Sequence, residues 1–198
     1  MSGVENNLSN NSGVLYVVAT PIGNLGDLSV RAGDTLREVG LIAAEDTRYS
    51  RRLLQHLGAS TPMISLHEHN ERERSAKIVT KLQAGVAVAL VSDAGTPLIS
   101  DPGFRLVRAA RAAGITVRTV PGPCAAIAAL SIAGLPTDRF VFDGFLAARE
   151  SACRAQFEAL AQETATLIFY VAPRRLVSGL QIAAEVFGSD RTAVLARE

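Results

Sequence analysis

The sequence has few of the residues that build disulfide frameworks and metal sites. It contains only two cysteines, Cys124 and Cys153, and their spacing is not that of metal ligands. The first residues also lack the basic start and the apolar middle of a signal peptide. Free thiols in a reducing compartment are therefore expected, which favours a cytoplasmic protein.

Long apolar runs and a large net charge are also absent. The longest apolar stretches, 86–91 and 125–130, are far shorter than the roughly 20 residues that cross a bilayer, so no membrane partner is expected. The formal net charge of +1 gives no global attraction to nucleic acid. Arginine nevertheless far outnumbers lysine, and it binds phosphate through two parallel hydrogen bonds. Two interpretations of the arginine clusters remain open: they bind along an RNA backbone, or they lie on solvated helix faces. The clusters are 48–52, 105–111, 149–154 and 174–175.

Short apolar segments alternate with helical periodicity over the first 120 residues. The apolar runs are rich in aliphatic and β-branched residues, are bounded by turn residues and are typical of buried strands. They cover 15–20, 41–45, 62–66, 86–92 and 115–120. Several of the helical segments end at a glycine, as helices with a glycine cap do: Gly58, Gly85 and Gly114. This alternation predicts a parallel sheet with helices on both faces.

A segment rich in proline and glycine, 121–123, ends this first domain and leads into an alanine-rich helix. The elements predicted after that helix are strands at 140–146, 166–172 and 192–197 and helices near 151–162 and 174–187. The fold class is therefore α/β with two domains. The sequence predicts a polar disordered tail at 1–12, an N-terminal α/β domain at 13–120 and a smaller, incomplete C-terminal α/β domain at 121–198.

The unusual loops are those that follow predicted strands: TPIGNLGD (20–27), AEDTRYSRR (44–52) and SDAGTPLISDPG (92–103). In open parallel sheets, ligands bind at this carboxyl edge of the strands. Glycines let backbone groups approach a ligand, and prolines hold a loop in one shape. A P-loop and a GxGxxG sequence are both missing, which disfavours nucleotide hydrolases and dinucleotide-binding folds. The loops therefore predict a preformed rim for another small molecule.

The acidic residues of these loops have two interpretations. The four are Glu45, Asp46, Asp93 and Asp101. They suit a divalent cation if they converge, because hard cations prefer oxygen ligands. Helix capping is the favoured alternative, above all for Asp101, which precedes Pro102 at a predicted helix start. The His67–His69 segment resembles a metal pair in composition, but a polar loop is favoured there, so no metal site is predicted.

Six segments carry a family resemblance: LYVVATPIGNLGDLSVRA, LIAAEDTR, LHEHN, VALVSDAGTPLISDPGFRLVR, VPGPCAAIAALSIAGLPTDRFVFDGFL and TLIFYVAPRR. Together they resemble the small-subunit ribosomal RNA 2′-O-methyltransferase I family of the tetrapyrrole methylase superfamily. This resemblance implies two α/β domains with S-adenosylmethionine bound between them, and a homodimer. It implies methylation of the ribose 2′-hydroxyl of a cytidine in small-subunit ribosomal RNA, with no DNA partner.

The resemblance also implies which residues contact the cofactor. These are Ile22, Gly95, Leu98, Cys124, Ala125, Tyr170 and Ala196. The chain departs from the family pattern at Val171, where a glutamate is common, and at Ala147, where a proline is common.

Methyl transfer to a ribose needs alignment and an acceptor for the hydroxyl proton. Glu45, Asp46 and Asp93 are candidate bases from their loop positions, and Arg48 is expected to orient a carboxylate or a phosphate. A buried ion pair between Asp46 and Arg48 that only fixes the loop is the alternative. Two other functions remain open: methylation of a tetrapyrrole precursor, and a non-catalytic module that assists ribosome assembly.

Overall fold

A computed structural model describes residues 13–197 of the chain, and the tail predicted at 1–12 lies outside the described residues. The chain divides into two compact units, an N-terminal unit that ends at Pro123 and a C-terminal unit that begins at Cys124. The division lies three residues beyond position 120, where the sequence places it.

The N-terminal unit is a five-stranded parallel sheet whose strands alternate with helices. Its elements, in chain order, are β1 (Leu15–Val18), α1 (Val30–Glu38), β2 (Leu41–Ala44), α2 (Thr47–His56), β3 (Met63–Ser65), α3 (Glu71–Gln83), β4 (Val88–Val91), α4 (Phe104–Ala112) and β5 (Val117–Val120). The strand order is β3-β2-β4-β1-β5. Every predicted strand of this unit is present, and the two strands β2 and β4 are buried along their whole length.

The order of the strands creates one crossover point in the sheet. The chain leaves β1 toward β2 on one side and leaves β4 toward β5 on the other, although β1 and β4 are hydrogen-bonded neighbours. Loops that leave adjacent strands in opposite directions open a crevice at the carboxyl edge, which is where doubly wound sheets bind ligands. The loops after β1 and β4 are the glycine-rich loops that the sequence singles out.

Each face of the sheet carries its own hydrophobic core. Strand β4 shows the alternation: Val88 and Leu90 belong to one core, and Ala89 and Val91 belong to the other. Helices α3 and α4 cover the first face, and α1 and α2 cover the second. Strands that are buried on both faces read as continuous apolar runs, which explains why the sequence reveals them so clearly.

The C-terminal unit contains a two-stranded parallel sheet and three α-helices within the part of the chain that the structure describes. Its elements are α5 (Ala125–Ile132), β6 (Phe140–Phe145), α6 (Glu150–Glu158), β7 (Thr166–Tyr170) and α7 (Leu176–Phe187). Leu146, Cys153, Phe157 and Ile182 form its core. Val171, one of the departures from the family pattern, packs against that core.

The prediction of a strand at 192–197 is wrong. These residues lie in an irregular and exposed segment after α7. An alternating pattern specifies a strand only where a neighbouring strand supplies hydrogen bonds, and none of the described residues pairs with this segment. Within 13–197, no helix is long and apolar enough to cross a membrane.

Capping of α4 differs from the prediction at Asp101. The N-cap of α4 is Gly103, which has no side chain to cap the helix. The buried carboxylate of Glu71, the first residue of α3, replaces that side chain: its Oε1 accepts the backbone N–H groups of Gly103 at 3.0 Å and of Arg105 at 2.8 Å. Glu71 therefore joins two helices that are neighbours in space but more than 30 residues apart in sequence.

Replacing Glu71 by alanine is expected to lower the free energy of unfolding by about 1–3 kcal/mol, because two backbone donors lose their acceptor. Glu71→Gln keeps an acceptor oxygen in the same place and is expected to lose less than half of that amount. Urea unfolding of both variants measures the difference. Equal losses in the two variants, or no loss in Glu71→Ala, would contradict the capping role.

Candidate functional site

Three loops meet at the carboxyl edge of the sheet, beside the crossover point. Thr20 follows β1, and its N–H and C=O groups bond the C=O and N–H groups of Gly95 at 2.9 and 3.0 Å. The buried Thr20 hydroxyl donates to the carbonyl of Ser92 at 3.3 Å. The Thr96 hydroxyl donates to the carbonyl of Pro123, which follows β5, at 2.9 Å. The loops after β1, β4 and β5 therefore form one rim (20–23, 92–98 and 121–123), here called the cofactor rim after the cofactor contacts that the sequence predicts there.

Gly95 lies where these three loops touch, and its backbone has φ +81°. A Cβ atom at this position would lie 3.3 Å from Cγ2 of Ile22 and 3.6 Å from the carbonyl oxygen of Pro123. Glycine is needed both for the left-handed backbone and for the close approach. The structure thus places the predicted cofactor residues Ile22 and Gly95 against each other.

Leu98 has φ +74° although it is not a glycine. Its half-buried side chain packs against the core that α3 and α4 cover, so that packing holds the strained backbone in place. Ser100, two residues later, also has a left-handed backbone, with φ +65°. Such strain is frequent where a loop is shaped for binding, which fits the role predicted for Leu98.

The loop after β2 joins the rim through its acidic residues. The N–H group of Asp46 donates to Oδ1 of Asp93 at 3.0 Å, and the N–H group of Asp93 contacts Oε2 of Glu45 at 3.4 Å. The structure therefore brings together the three predicted bases, Glu45, Asp46 and Asp93. These bonds connect the carboxyl ends of β2 and β4, which are neighbours in the sheet.

Asp46 forms an exposed ion pair with Arg48, which corrects the expectation of a buried pair. Nη2 of Arg48 lies 2.8 Å from Oδ2 of Asp46, and 89% of the arginine side chain is accessible to solvent. Asp46 is also the N-cap of α2, because its Oδ1 accepts the N–H group of Arg48 at 2.8 Å. The hydrogen bonds from Arg48 lower the pKa of Asp46 to about 2, so this carboxylate is fully ionised at neutral pH.

The other carboxylates at this edge have pKa values shifted in the opposite direction. Partial burial raises the pKa of Glu45, of Asp93 and of Asp101, and the charges of neighbouring carboxylates add to each increase. Asp101 thus belongs to this acidic group rather than to a helix cap. Its neighbour Ser92 donates a side-chain hydrogen bond to it, which partly opposes the increase in pKa. Within 13–197, no group of three or more His, Cys, Asp or Glu side chains has the arrangement of a metal site.

Asp101→Asn is expected to stabilise the protein at pH 7. Because burial raises the pKa of Asp101 in the folded state, its contribution to stability is fully present below the unfolded value of 3.8 and is lost as the pH rises through the folded pKa. The variant should melt about 2 °C higher than the parent at pH 7 and close to it at pH 3.5. Asp138→Asn, at an exposed position, should shift the melting temperature at neither pH. A gain for Asp101→Asn that does not depend on pH would contradict this explanation.

In the C-terminal unit, two predicted cofactor residues lie at the start of α5 and a third contacts that helix. Cys124 is the N-cap and Ala125 the first residue of α5, and the phenolic oxygen of Tyr170 accepts the N–H group of Ala126 at 3.2 Å. The ring of Tyr170 packs edge-on against Phe142, with ring centres 4.9 Å apart. Ala196, in contrast, lies in the exposed segment after α7.

Sequence reasoning missed Glu71, and for Asp101 it favoured a helix cap over a place among the converging carboxylates. Neither has a local signal, because each depends on which segments become neighbours in space. The interpretation of 67–69 as a polar loop agrees with the contacts there: the side-chain oxygen of Asn70 accepts the N–H group of His67 at 2.9 Å.

Comparison with known proteins assigns this arrangement to a family. The model of the tetrapyrrole (corrin/porphyrin) methylases matches residues 14–198. The chain belongs to this family. Its members are S-adenosylmethionine-dependent methyltransferases, so S-adenosylmethionine is the cofactor assigned to the chain. The fold class and the family inferred from the sequence are both confirmed.

Similar curated proteins are named ribosomal RNA small subunit methyltransferase I. The protein from Pseudomonas aeruginosa is 60% identical over 94% of this chain, and that from Escherichia coli O157:H7 is 53% identical over 96% of it. The match covers 66% of the length of each of these two relatives. The chain thus spans about two thirds of their length.

Solved structures with the same fold are more distant in sequence. Uroporphyrin-III-C-methyltransferase from Thermus thermophilus matches with a TM-score of 0.61 at 22% identity, over 87% of this chain and 73% of that one. Diphthine synthase matches with a TM-score of 0.66 at 15% identity, over 88% of this chain and 71% of that one. At these identities the two structures support the fold of the chain and nothing about its substrate.

Proposed function

We propose that the chain is the greater part of an enzyme that methylates small-subunit ribosomal RNA at the ribose 2′-hydroxyl of a cytidine, with S-adenosylmethionine as methyl donor. The proposed substrate rests on the identity of 53–60% to proteins named for methylation of this RNA. The cofactor rim is the proposed donor site because it lies at the crossover point of the sheet. A cytoplasmic homodimer is the proposed form of the whole enzyme.

The rim fits a cationic methyl donor. Its exposed residues are small, among them Ala94 and Gly122, so a ligand meets the backbone directly. Ile22 and Gly95 are the proposed contacts with the donor, and the strained Leu98 shapes the same loop. Cys124, Ala125 and Tyr170 are proposed as further cofactor contacts.

The negative charge of the acidic group also supports a cationic methyl donor at the rim. Burial raises the pKa values of Glu45 and Asp101, and the charge of Asp93 raises both further. A sulfonium cation beside them lowers the free energy of their ionised forms and is itself stabilised by them. The cation is consumed in the reaction, because its product is a neutral thioether. The acidic group therefore favours the donor over the spent cofactor.

The bound donor supplies an electrophilic methyl group. That group would go to the ribose oxygen, and the electron pair of the broken carbon–sulfur bond would stay with the departing thioether. The hydroxyl proton passes to a carboxylate, for which Glu45 is the proposed acceptor because its raised pKa makes it a stronger base than Asp46. Most of the acceleration is assigned to alignment of the two reactants.

The remaining candidates act by positioning. Asp93 holds the first turn of α2 through its bond to the N–H group of Asp46. Asp46 in turn holds the guanidinium of Arg48 at the edge of the rim. Arg48 keeps most of its surface exposed, so it is the proposed partner for a phosphate of the RNA.

A transfer assay with radiolabelled methyl donor tests the function. Small subunits from a strain that lacks the corresponding methyltransferase are expected to accept label, and the labelled dinucleotide should resist alkaline hydrolysis because a 2′-O-methyl group blocks cleavage of the adjacent phosphodiester. Glu45→Gln is expected to lower kcat about 100-fold. The proposal would be overturned if the label were found in a nucleobase, or if no label reached the RNA although the donor is bound.

A further inference from the structure

The outer face of α2 begins at the acidic group and extends away from it. The helix buries Ser50, Leu53 and Leu54 against the sheet. The opposite face is exposed and carries Arg48, Tyr49, Arg51, Arg52, Gln55 and His56. A helix of this length extends for about 15 Å. Any polymer that places one of its residues at the rim can thus continue along this face.

The charge of this face is of one sign. The ten residues of α2 include three arginines and no carboxylate, whereas the whole chain has a net charge of only +1. Arg37, Arg139 and Arg154 each form an ion pair with a nearby carboxylate. Arg51 and Arg52 form no ion pair with any residue of 13–197. Their guanidinium groups are therefore available to an external anion.

An exposed aromatic ring lies among these arginines. Tyr49 has 52% of its surface accessible, although its neighbour Ser50 is buried. An exposed ring next to arginines combines a surface on which a base can stack with donors for the phosphates on either side. An acidic protein surface would use the arginines but would not require the ring.

We infer that the outer face of α2 (Arg48–His56) is the surface that holds the single-stranded RNA next to the methylated nucleotide, with phosphates on Arg51 and Arg52 and a base stacked on Tyr49. This inference rests on the proposed function, because it takes ribosomal RNA as the substrate. The inference adds the direction in which the RNA leaves the site, which is along α2 and away from the acidic group.

Arg51→Gln/Arg52→Gln is the variant that tests the phosphate contacts, with Arg111→Gln/Arg118→Gln as its control. The control removes the same charge at the end of α4 and on β5, where both side chains are exposed. Binding of a fluorescent fragment of small-subunit RNA is measured at several salt concentrations. The α2 variant should bind about tenfold more weakly, and its slope of log K against log salt should fall by about 1.4, since each contact with a single strand contributes about 0.7. The control should match the parent in both quantities.

Tyr49→Ala tests the stacking contact, with Tyr49→Phe as its control. The alanine variant should bind the RNA at least about fivefold more weakly, and phenylalanine should restore binding to within twofold. Equal affinity and salt slope in the two arginine variants would overturn the inference. Titration with S-adenosylmethionine separates this failure from failure of the proposed function. Donor binding and methyl transfer by the parent chain support the function even when α2 proves irrelevant.

Discussion

The Asp46→Ala variant is expected to transfer methyl groups at least about 100-fold more slowly than the parent protein. Its carboxylate accepts hydrogen bonds from the backbone and from the guanidinium of Arg48. Without it, the arginine loses its fixed position and the first turn of α2 loses its cap. A loss of capping alone costs about 1 kcal/mol of stability, which is too little to unfold a typical domain.

Asp46→Asn separates the two roles of this side chain. Asparagine caps helices as well as aspartate does, so the variant should unfold at nearly the same urea concentration as the parent. It lacks the charge that holds Arg48, so its KM for RNA should rise while its Kd for S-adenosylmethionine stays within twofold. Asp34→Ala is the matched control, because it removes another exposed aspartate that pairs with an arginine, at 3.0 Å from Arg37. A parental KM for RNA in Asp46→Asn would remove Asp46 and its hold on Arg48 from the account of the reaction.

Gly95→Ala is expected to weaken binding of S-adenosylmethionine by tenfold or more. The new Cβ atom would press on Cγ2 of Ile22 at 3.3 Å, and the backbone at φ +81° would be strained by about 1–2 kcal/mol. Relief of that strain requires the loops after β1 and β4 to move apart. Because these loops form the cofactor rim, the donor would lose its preformed site. Calorimetric titration measures the change in Kd.

Gly114→Ala is the control for backbone strain alone. Its φ is +71°, and a Cβ atom there would meet nothing within 4 Å. Gly114→Ala should therefore lose only the stability that the strained backbone costs, and Gly95→Ala should lose at least as much. Only Gly95→Ala should lose affinity for the donor. Equal affinities in the two variants would mean that the contact between Gly95 and Ile22 does not shape the binding site.

The sheet of the N-terminal unit could be predicted from the sequence because its signals are local. Strands such as β4 are apolar on both faces, and the helices before Gly58, Gly85 and Gly114 end in glycines with positive φ. The loops with unusual composition follow strands, and parallel strands bring such loops to one edge. This reasoning already places Ile22 and Gly95 at the same edge.

The contacts between distant segments could not be predicted. Asp101 looks like a helix cap in the sequence, yet Glu71 caps α4 because α3 and α4 are packed side by side. Burial raises the pKa of Glu45, and the charge of Asp101, which is 56 positions away in the chain and close in space, raises it further. The pattern at 192–197 is that of a strand, but a strand also needs a partner. Each of these errors concerns neighbours in space that have no signature in the local sequence.

The central claim is that the loops after β1, β4 and β5 form the site of the methyl donor. Amide chemical-shift mapping of the isotope-labelled protein during titration with S-adenosylmethionine tests it most directly. The account predicts that the largest shifts fall at Ile22, at Gly95 and along 92–98, with little change at Gly58 and Gly114. Shifts confined to the other end of the sheet, or no shifts at saturating donor, would contradict it.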